Sequence, residues 1–212
     1  MFKNVSLKLA KWLGKYLASS EEDMEVYAYG LEIILGGIFK IGLLLLIALK
    51  LNIVLTTVLC TAGFVGIRFF GGGGHFCTYT RCLIGSLAIL LLLGKIAALN
   101  LNTNLIFILI FFNIFLGIIA IIKWIPAGTH KKTVTDKNLR TKQKIKTLVM
   151  LITFMGIVLI FMYFQLHSFA FALLLGILAS FLLITPLGYF LLQSIDKLLD
   201  SLNRKRDADL AK

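Results

Sequence analysis

Six long runs with almost no charged side chain limit what this chain can fold into. They lie at about residues 31–49, 53–67, 83–99, 105–122, 147–165 and 169–190. Each is close to the roughly 20 residues that cross the hydrocarbon of a bilayer. Inside lipid a backbone must satisfy its own N–H and C=O groups, so each run is predicted to be a helix. Hydrophobic residues make up 59% of the chain and charged residues only 15%. That balance is far too apolar for an ordinary soluble domain. The expected fold class is therefore all-α: a single polytopic membrane domain over residues 1–212 with six transmembrane helices.

The segments between the runs set the arrangement. Near the amino terminus, Phe2, Val5, Leu9, Trp12, Leu13 and Tyr16 recur at helical spacing, while Lys8, Lys11 and Lys15 gather on another face. This predicts an amphipathic interfacial helix, either with its lysines against anionic lipid or packed on the protein's own surface. Ser19 and Glu22 have capping-box spacing, so a second helix is expected to start there and run into the first span. The chain then divides into interfacial helices over 1–30, a six-span core over 31–192 and a tail over 193–212. Pro186 is expected to kink the sixth span. Lysine and arginine concentrate in the amino-terminal segment, in residues 68–82, in residues 123–146 and in the tail. The opposite connections are short and nearly uncharged. Six spans put all the basic segments on one side, which the positive-inside rule makes the cytoplasm. Both termini are then cytoplasmic. The net charge of +12 reads as basic loops facing anionic headgroups rather than as a nucleic-acid surface. Three cysteines give no disulfide framework, and Cys60, within an apolar run, reads as core.

Residues 68–86, RFFGGGGHFCTYTRCLIGS, carry the chemistry. A thiolate is the nucleophilic form of cysteine, and a neighbouring imidazole can take its proton. His75 and Cys82 are seven residues apart, two turns or roughly 10 Å on one straight helix. They can meet only if the chain bends between them, and Gly71, Gly72, Gly73 and Gly74 permit a bend. Cys82 is then expected in the first turn of the next helix, where the helix dipole and Arg81 would favour a thiolate. From spacing alone three readings stay open. The cysteines and glycines could serve packing only. His75 and Cys82 could form a catalytic dyad. His75, Cys77 and Cys82 could ligate a metal.

Arg68, Gly73, His75 and Cys82, with six residues between histidine and cysteine, resemble the signature of the accessory gene regulator B (AgrB) family. These are membrane-embedded cysteine endopeptidases that process quorum-sensing propeptides. WIPAGTHKK, Trp124 to Lys132, is similar to the family's second motif after the fourth span. The likeness extends to length, span number and the basic central loop. The chain departs from the pattern in Phe76, where members often carry alanine, and in the extra Cys77. The resemblance implies an enzyme of the bacterial cell membrane with no metal and no cofactor, its site facing the cytoplasm. His75 and Cys82 would be catalytic. An acyl-enzyme thioester on Cys82 would be attacked by a side chain of the peptide itself to give a cyclic thiolactone. Glu32, at a position the family tends to fill with a polar group, is a candidate to orient His75; it could equally pair with an arginine at the interface. Arg68 and the glycine N–H groups, Gly73 among them, are candidate oxyanion donors. Lys131 and Lys132 are candidates to attract the propeptide, or serve topology and lipid contact. The resemblance implies a short propeptide with an amphipathic amino-terminal helix as partner; the basic segments point to anionic lipid, and the span glycines either join a second copy in a homodimer or serve packing within one chain. The rival classes are a small transporter or channel using Glu32, Lys40 and Lys95, and a membrane interaction protein without chemistry.

Overall fold

The computed structural model describes the backbone of residues 3–17, 20–99, 103–127 and 136–210, with side chains to residue 202. Among the described residues there are eight helices and no strand. The chain forms two compact units, residues 1–50 and 51–212.

The first unit is a helical hairpin of α1 (Lys3–Leu17) and α2 (Glu21–Lys50). Ser6, Ala10 and Gly14, one turn apart, form a buried stripe on α1. Small residues at that spacing let two helices approach closely. The large apolar residues Val5, Trp12 and Tyr16 stay exposed, and α1 packs on α2 through its small ones. Ser19, the expected cap, lies outside the described residues, and a capping box is formed by Ser20 and Asp23. Ser20 Oγ accepts from Asp23 N–H at 3.2 Å, and Asp23 Oδ2 accepts from Ser20 N–H at 3.3 Å. Asp23 has the shorter acid and lies three residues after Ser20, so it reaches back as glutamate usually does.

The second unit is built from α3 (Val54–Gly71), α4 (Tyr79–Ala97), α5 (Thr103–Lys123), α6 (Lys137–Tyr163), α7 (His167–Ile184) and α8 (Pro186–Leu210). Helix α7 is the axis of the unit and packs against α3, α4, α5, α6 and α8. Most of its apolar stretch is buried, whereas most of that of α4 is not. The outward faces of the other helices are apolar, with Phe107, Phe111 and Phe115 of α5 exposed. An apolar outside and a modest inside is what lipid solvation selects. Cys60 is fully buried on α3, where its carbonyl abuts Gly176 of α7, so this thiol is core as expected.

Six helices, α2 to α7, are long and apolar enough to cross a membrane. The sixth ends sooner than the sequence suggested. Pro186 has no N–H and pushes the residue before it out of the helical region, and Thr185 is extended, with φ −70° and ψ 159°. Thr185 Oγ1 then accepts from Gly188 N–H at 3.3 Å and starts α8 as a new helix. Instead of a kinked span there are two helices, and the second, with the tail, is free to turn toward the α3–α4 junction. Asp136, the one acid of the basic central loop, caps α6 by accepting from Asn138 N–H at 2.9 Å.

Candidate active site

The site forms where α3 ends and α4 begins. Helix α3 stops at Gly71, and the next two residues have positive φ, +75° at Gly72 and +130° at Gly73. Few residues other than glycine adopt these angles. Space makes the same demand: a Cβ on Gly72 would strike the Ala127 carbonyl, and one on Gly73 would sit 3.0 Å from the Arg68 guanidinium. The glycine turn is stitched to the segment after α5. Ala127 N–H donates to Gly71 O at 2.9 Å, and Gly73 N–H donates to Ala127 O at 3.1 Å. So the two short motifs of the sequence, GGGG and WIPA, meet as a single parallel bridge.

The turn carries the chain back so that His75 faces Cys82. His75 Nδ1 lies 4.0 Å from Cys82 Sγ, within reach of a thiol contact that tightens when substrate is bound. Cys82 stands in the first turn of α4, and its N–H donates to Thr78 O at 3.0 Å, the first bond of the helix. Thr78 is the N-cap, its hydroxyl accepting from Arg81 N–H at 3.4 Å.

Arg68 binds the site from below. It donates to Gly74 O, and Nη2 lies 3.4 Å from His75 Nε2. The guanidinium closes the far side of the ring and leaves Nδ1 to the sulfur. The guanidinium also stacks over Phe64, with 5.3 Å to the ring centroid, and interacts electrostatically with Cys82 and Tyr189. Its Nη1 is buried without a hydrogen-bond partner.

Two residues that the sequence did not single out hold the far side of the loop. Asp196 of α8 is 5% exposed. It accepts from Cys77 N–H at 2.9 Å and pairs with Arg81 Nη1 at 3.0 Å. Asp200, one turn on, pairs with Arg81 Nη2. Tyr189 and Leu192 of the same helix face pack on Gly74. Burial raises the Asp196 carboxyl, but the Cys77 N–H and Arg81 outweigh it and hold it below the ordinary carboxylate range. The Cys77 thiol is pushed up by its hydrogen bond to the same carboxylate, and burial raises the Tyr189 hydroxyl. A spacing signal existed: residues 189, 192, 196 and 200 recur at three or four and lie on one helical face. The charged tail hid it.

The expected residues are therefore placed unequally. Arg68, Gly73, His75 and Cys82 come together. Of the glycine N–H groups expected to serve the oxyanion, that of Gly73 is spent on Ala127 and that of Gly72 on Arg68 O, whereas Arg68 keeps a nitrogen to offer. Arg81 does not turn to Cys82, because Asp196 and Asp200 take its guanidinium. Glu32 lies on α2 in the first unit, and the ring nitrogen remote from the sulfur faces Arg68. Lys131 and Lys132 lie outside the described residues.

Fold and site together define a multi-pass α-helical membrane protein with a histidine–cysteine pair at the junction of two spans. The accessory gene regulator B family model matches residues 6–191. The chain belongs to the accessory gene regulator B family. An AgrB-like protein of Clostridium perfringens is 23% identical, over 95% of this chain and all of that protein. Accessory gene regulator protein B of Staphylococcus aureus is 26% identical, over 76% of this chain and 81% of its own length. No solved structure matches the chain.

Proposed function

We propose that the chain is a membrane cysteine endopeptidase that cuts a quorum-sensing propeptide and passes its acyl part on to a cyclic thiolactone. The observation that carries this reading is the imidazole Nδ1 facing Cys82 Sγ at 4.0 Å with Arg68 behind the ring. His75 Nδ1 takes the Cys82 thiol proton and leaves a thiolate beside an imidazolium. The start of α4 and Arg68 add positive potential there. The thiolate attacks the scissile carbonyl, and charge develops on its oxygen. Arg68, with Nη1 unpartnered, turns toward that oxyanion. The His75 imidazolium then gives the proton on Nδ1 to the leaving amine. The carbon–nitrogen bond breaks and a thioester to Cys82 remains. A thiol of the peptide then displaces Cys82 and closes the ring, provided water is kept out.

In this reading the α3–α4 loop and both termini face the cytoplasm. The basic segments lie against anionic lipid, Lys131 and Lys132 draw in the propeptide, and no metal is used. The test is co-expression with the small peptide gene beside it. Processing should vanish in Cys82→Ser and in His75→Ala, be blocked by thiol alkylation, and persist in chelator. Processed peptide from Cys82→Ser would end the proposal.

A further inference from the structure

Helix α8 has two faces of different character. Tyr189, Leu192, Asp196 and Asp200 turn toward the α3–α4 loop: the first two pack on Gly74, and the acids take Arg81. Leu187, Leu191, Ile195, Leu198 and Leu202 recur at three or four residues about the opposite side, and all five are exposed. Residues at that spacing share one helical face, so they form a continuous apolar stripe. Such a stripe, unlike scattered single residues, marks an interaction site. The path of α8 says which surface it meets. Spans α4 to α7 alternate in direction, so the start of α4 and the end of α7 lie at one face of the bilayer. Helix α8 bridges these two ends. It starts at Pro186, directly after α7, and by Asp196 it has reached Cys77 and Arg81 at the start of α4. That distance is roughly 15 Å of helix, and both of its ends sit at span ends, so α8 runs along the face of the bilayer and not away from it. Leu182 in the last turn of α7 and Leu187 in the first turn of α8 are both exposed, so the stripe continues the apolar surface of a span. Beyond it the sequence runs Arg204, Lys205, Arg206, which suits anionic headgroups.

We infer that α8 is a membrane-surface helix, its stripe seated among lipid acyl chains at the bilayer boundary, and that the bilayer thereby holds the opposite face of α8 against the α3–α4 loop. A helix of this type sinks roughly 5–10 Å into the boundary between headgroups and chains. Two surfaces then fix its rotation. A roll that draws Asp196 away from Cys77 and Arg81 also lifts Leu198 and Leu202 out of lipid, so each contact resists loss of the other. Without the stripe, α8 is free to roll and the acids leave the loop. The inference does not depend on the endopeptidase reading, and neither of its readouts involves peptide cleavage.

The test uses the full chain in vesicles of phosphatidylcholine and phosphatidylglycerol. The photoreactive residue benzoylphenylalanine is placed at position 198, in the stripe, or at position 197, where Lys197 is exposed outside it. After illumination, mass spectrometry should find phospholipid attached at position 198 and several-fold less at position 197. Crosslinks from position 198 to a second copy of the chain, or equal lipid capture at both positions, would overturn the seat in lipid. The coupling is read at Cys77, whose thiol is hydrogen-bonded to the Asp196 carboxylate. Leu198→Gln with Leu202→Gln should raise the rate at which iodoacetamide labels Cys77 several-fold, because the thiol loses its anionic neighbour. Leu198→Met, which keeps the apolar contact, should leave that rate unchanged. Cys60, fully buried on α3, reports folding in the same sample and should stay unlabelled. An unchanged Cys77 rate in the double variant would overturn the coupling. If the double variant exposes Cys60, Leu198→Ala takes its place as a milder loss of apolar surface; the same acceleration is expected, and its absence overturns the coupling equally.

Discussion

The two halves of the loop between α3 and α4 are held by opposite means. The glycine half, residues 71–74, is fixed through its backbone, with two hydrogen bonds to Ala127 and a guanidinium under Gly73. The half from Cys77 to Arg81 is fixed through charge, with Asp196 and Asp200 gripping one N–H and one guanidinium. The first anchor decides where His75 leaves α3. The second decides where the helix bearing Cys82 begins. The separation of imidazole and sulfur is therefore set by two independent partners, residue 127 and α8, neither of which touches the sulfur.

Breaking the backbone anchor should do most damage. Gly73→Ala forces a Cβ into the guanidinium at a φ that alanine avoids, a strain of about 1–3 kcal/mol at the point where a shift of 1 Å costs catalysis roughly a hundredfold. Propeptide processing should drop by about that factor while the protein still reaches the membrane, which quantitative immunoblotting of both would establish. Full activity in Gly73→Ala would show that the turn does not position His75.

Breaking the charge anchor comes next. Asp196→Asn keeps an oxygen for the Cys77 N–H but strips Arg81, 15% exposed, of its buried carboxylate. Removing one partner of a buried pair costs about 3–5 kcal/mol; Asp200 remains, so a loss of about 1–3 kcal/mol is expected, and processing about tenfold lower. The pH dependence has a definite direction. The Asp196 carboxyl is held below its free value, so its contribution is complete above about pH 4 and is lost as pH falls through the lower folded value. Thermal unfolding in detergent between pH 7 and pH 3 should show an acid limb that Asp196→Asn removes; an identical limb in the variant would assign it to other groups. Asp200→Asn should matter least of the three. Its side chain is 59% exposed, and an exposed pair is worth about 0–1 kcal/mol. Processing should stay within about twofold of the unmodified chain, and a larger loss would mean that Asp200 grips Arg81 more than its exposure allows.

The same contrast explains what could be read in advance. The backbone anchor announces itself in sequence because only glycine meets its steric demand, and four in a row next to His75 leave little choice. The helices announce themselves because lipid tolerates so few charges. The charge anchor does not. Asp196 and Asp200 sit among tail residues where acids and bases alternate, and nothing local says that one turn of that helix is buried. Its position depends on Pro186 ending α7 at Ile184, a break that a hydropathy pattern running to Phe190 conceals. Arg81 misled for a related reason: adjacency to Cys82 in sequence places its charge nearby, but its side chain is long enough to reach stronger partners across the loop.

The two cysteines of the loop sharpen the comparison further, since the charge anchor holds one directly and places the other through the start of α4. Cys77 sits on the charge anchor, exposed, with its thiol against the Asp196 carboxylate. A thiol whose folded value is raised loses its anchoring contribution as pH rises through that value, because the thiolate and the carboxylate repel. At neutral pH the neighbour keeps Cys77 protonated and therefore a poor nucleophile. Cys82 stands on the other side, facing the imidazole. Cys77→Ser keeps the N–H that Asp196 holds, so processing should change by no more than about threefold, whereas Cys82→Ser abolishes it. In the Cys82→Ser background, labelling of Cys77 by iodoacetamide should accelerate several-fold when Asp196 becomes Asn, with the midpoint of its pH profile moving toward neutrality. If instead Cys77→Ser stops processing and Cys82→Ser does not, the nucleophile belongs to the charge anchor, and the imidazole facing Cys82 is a structural contact.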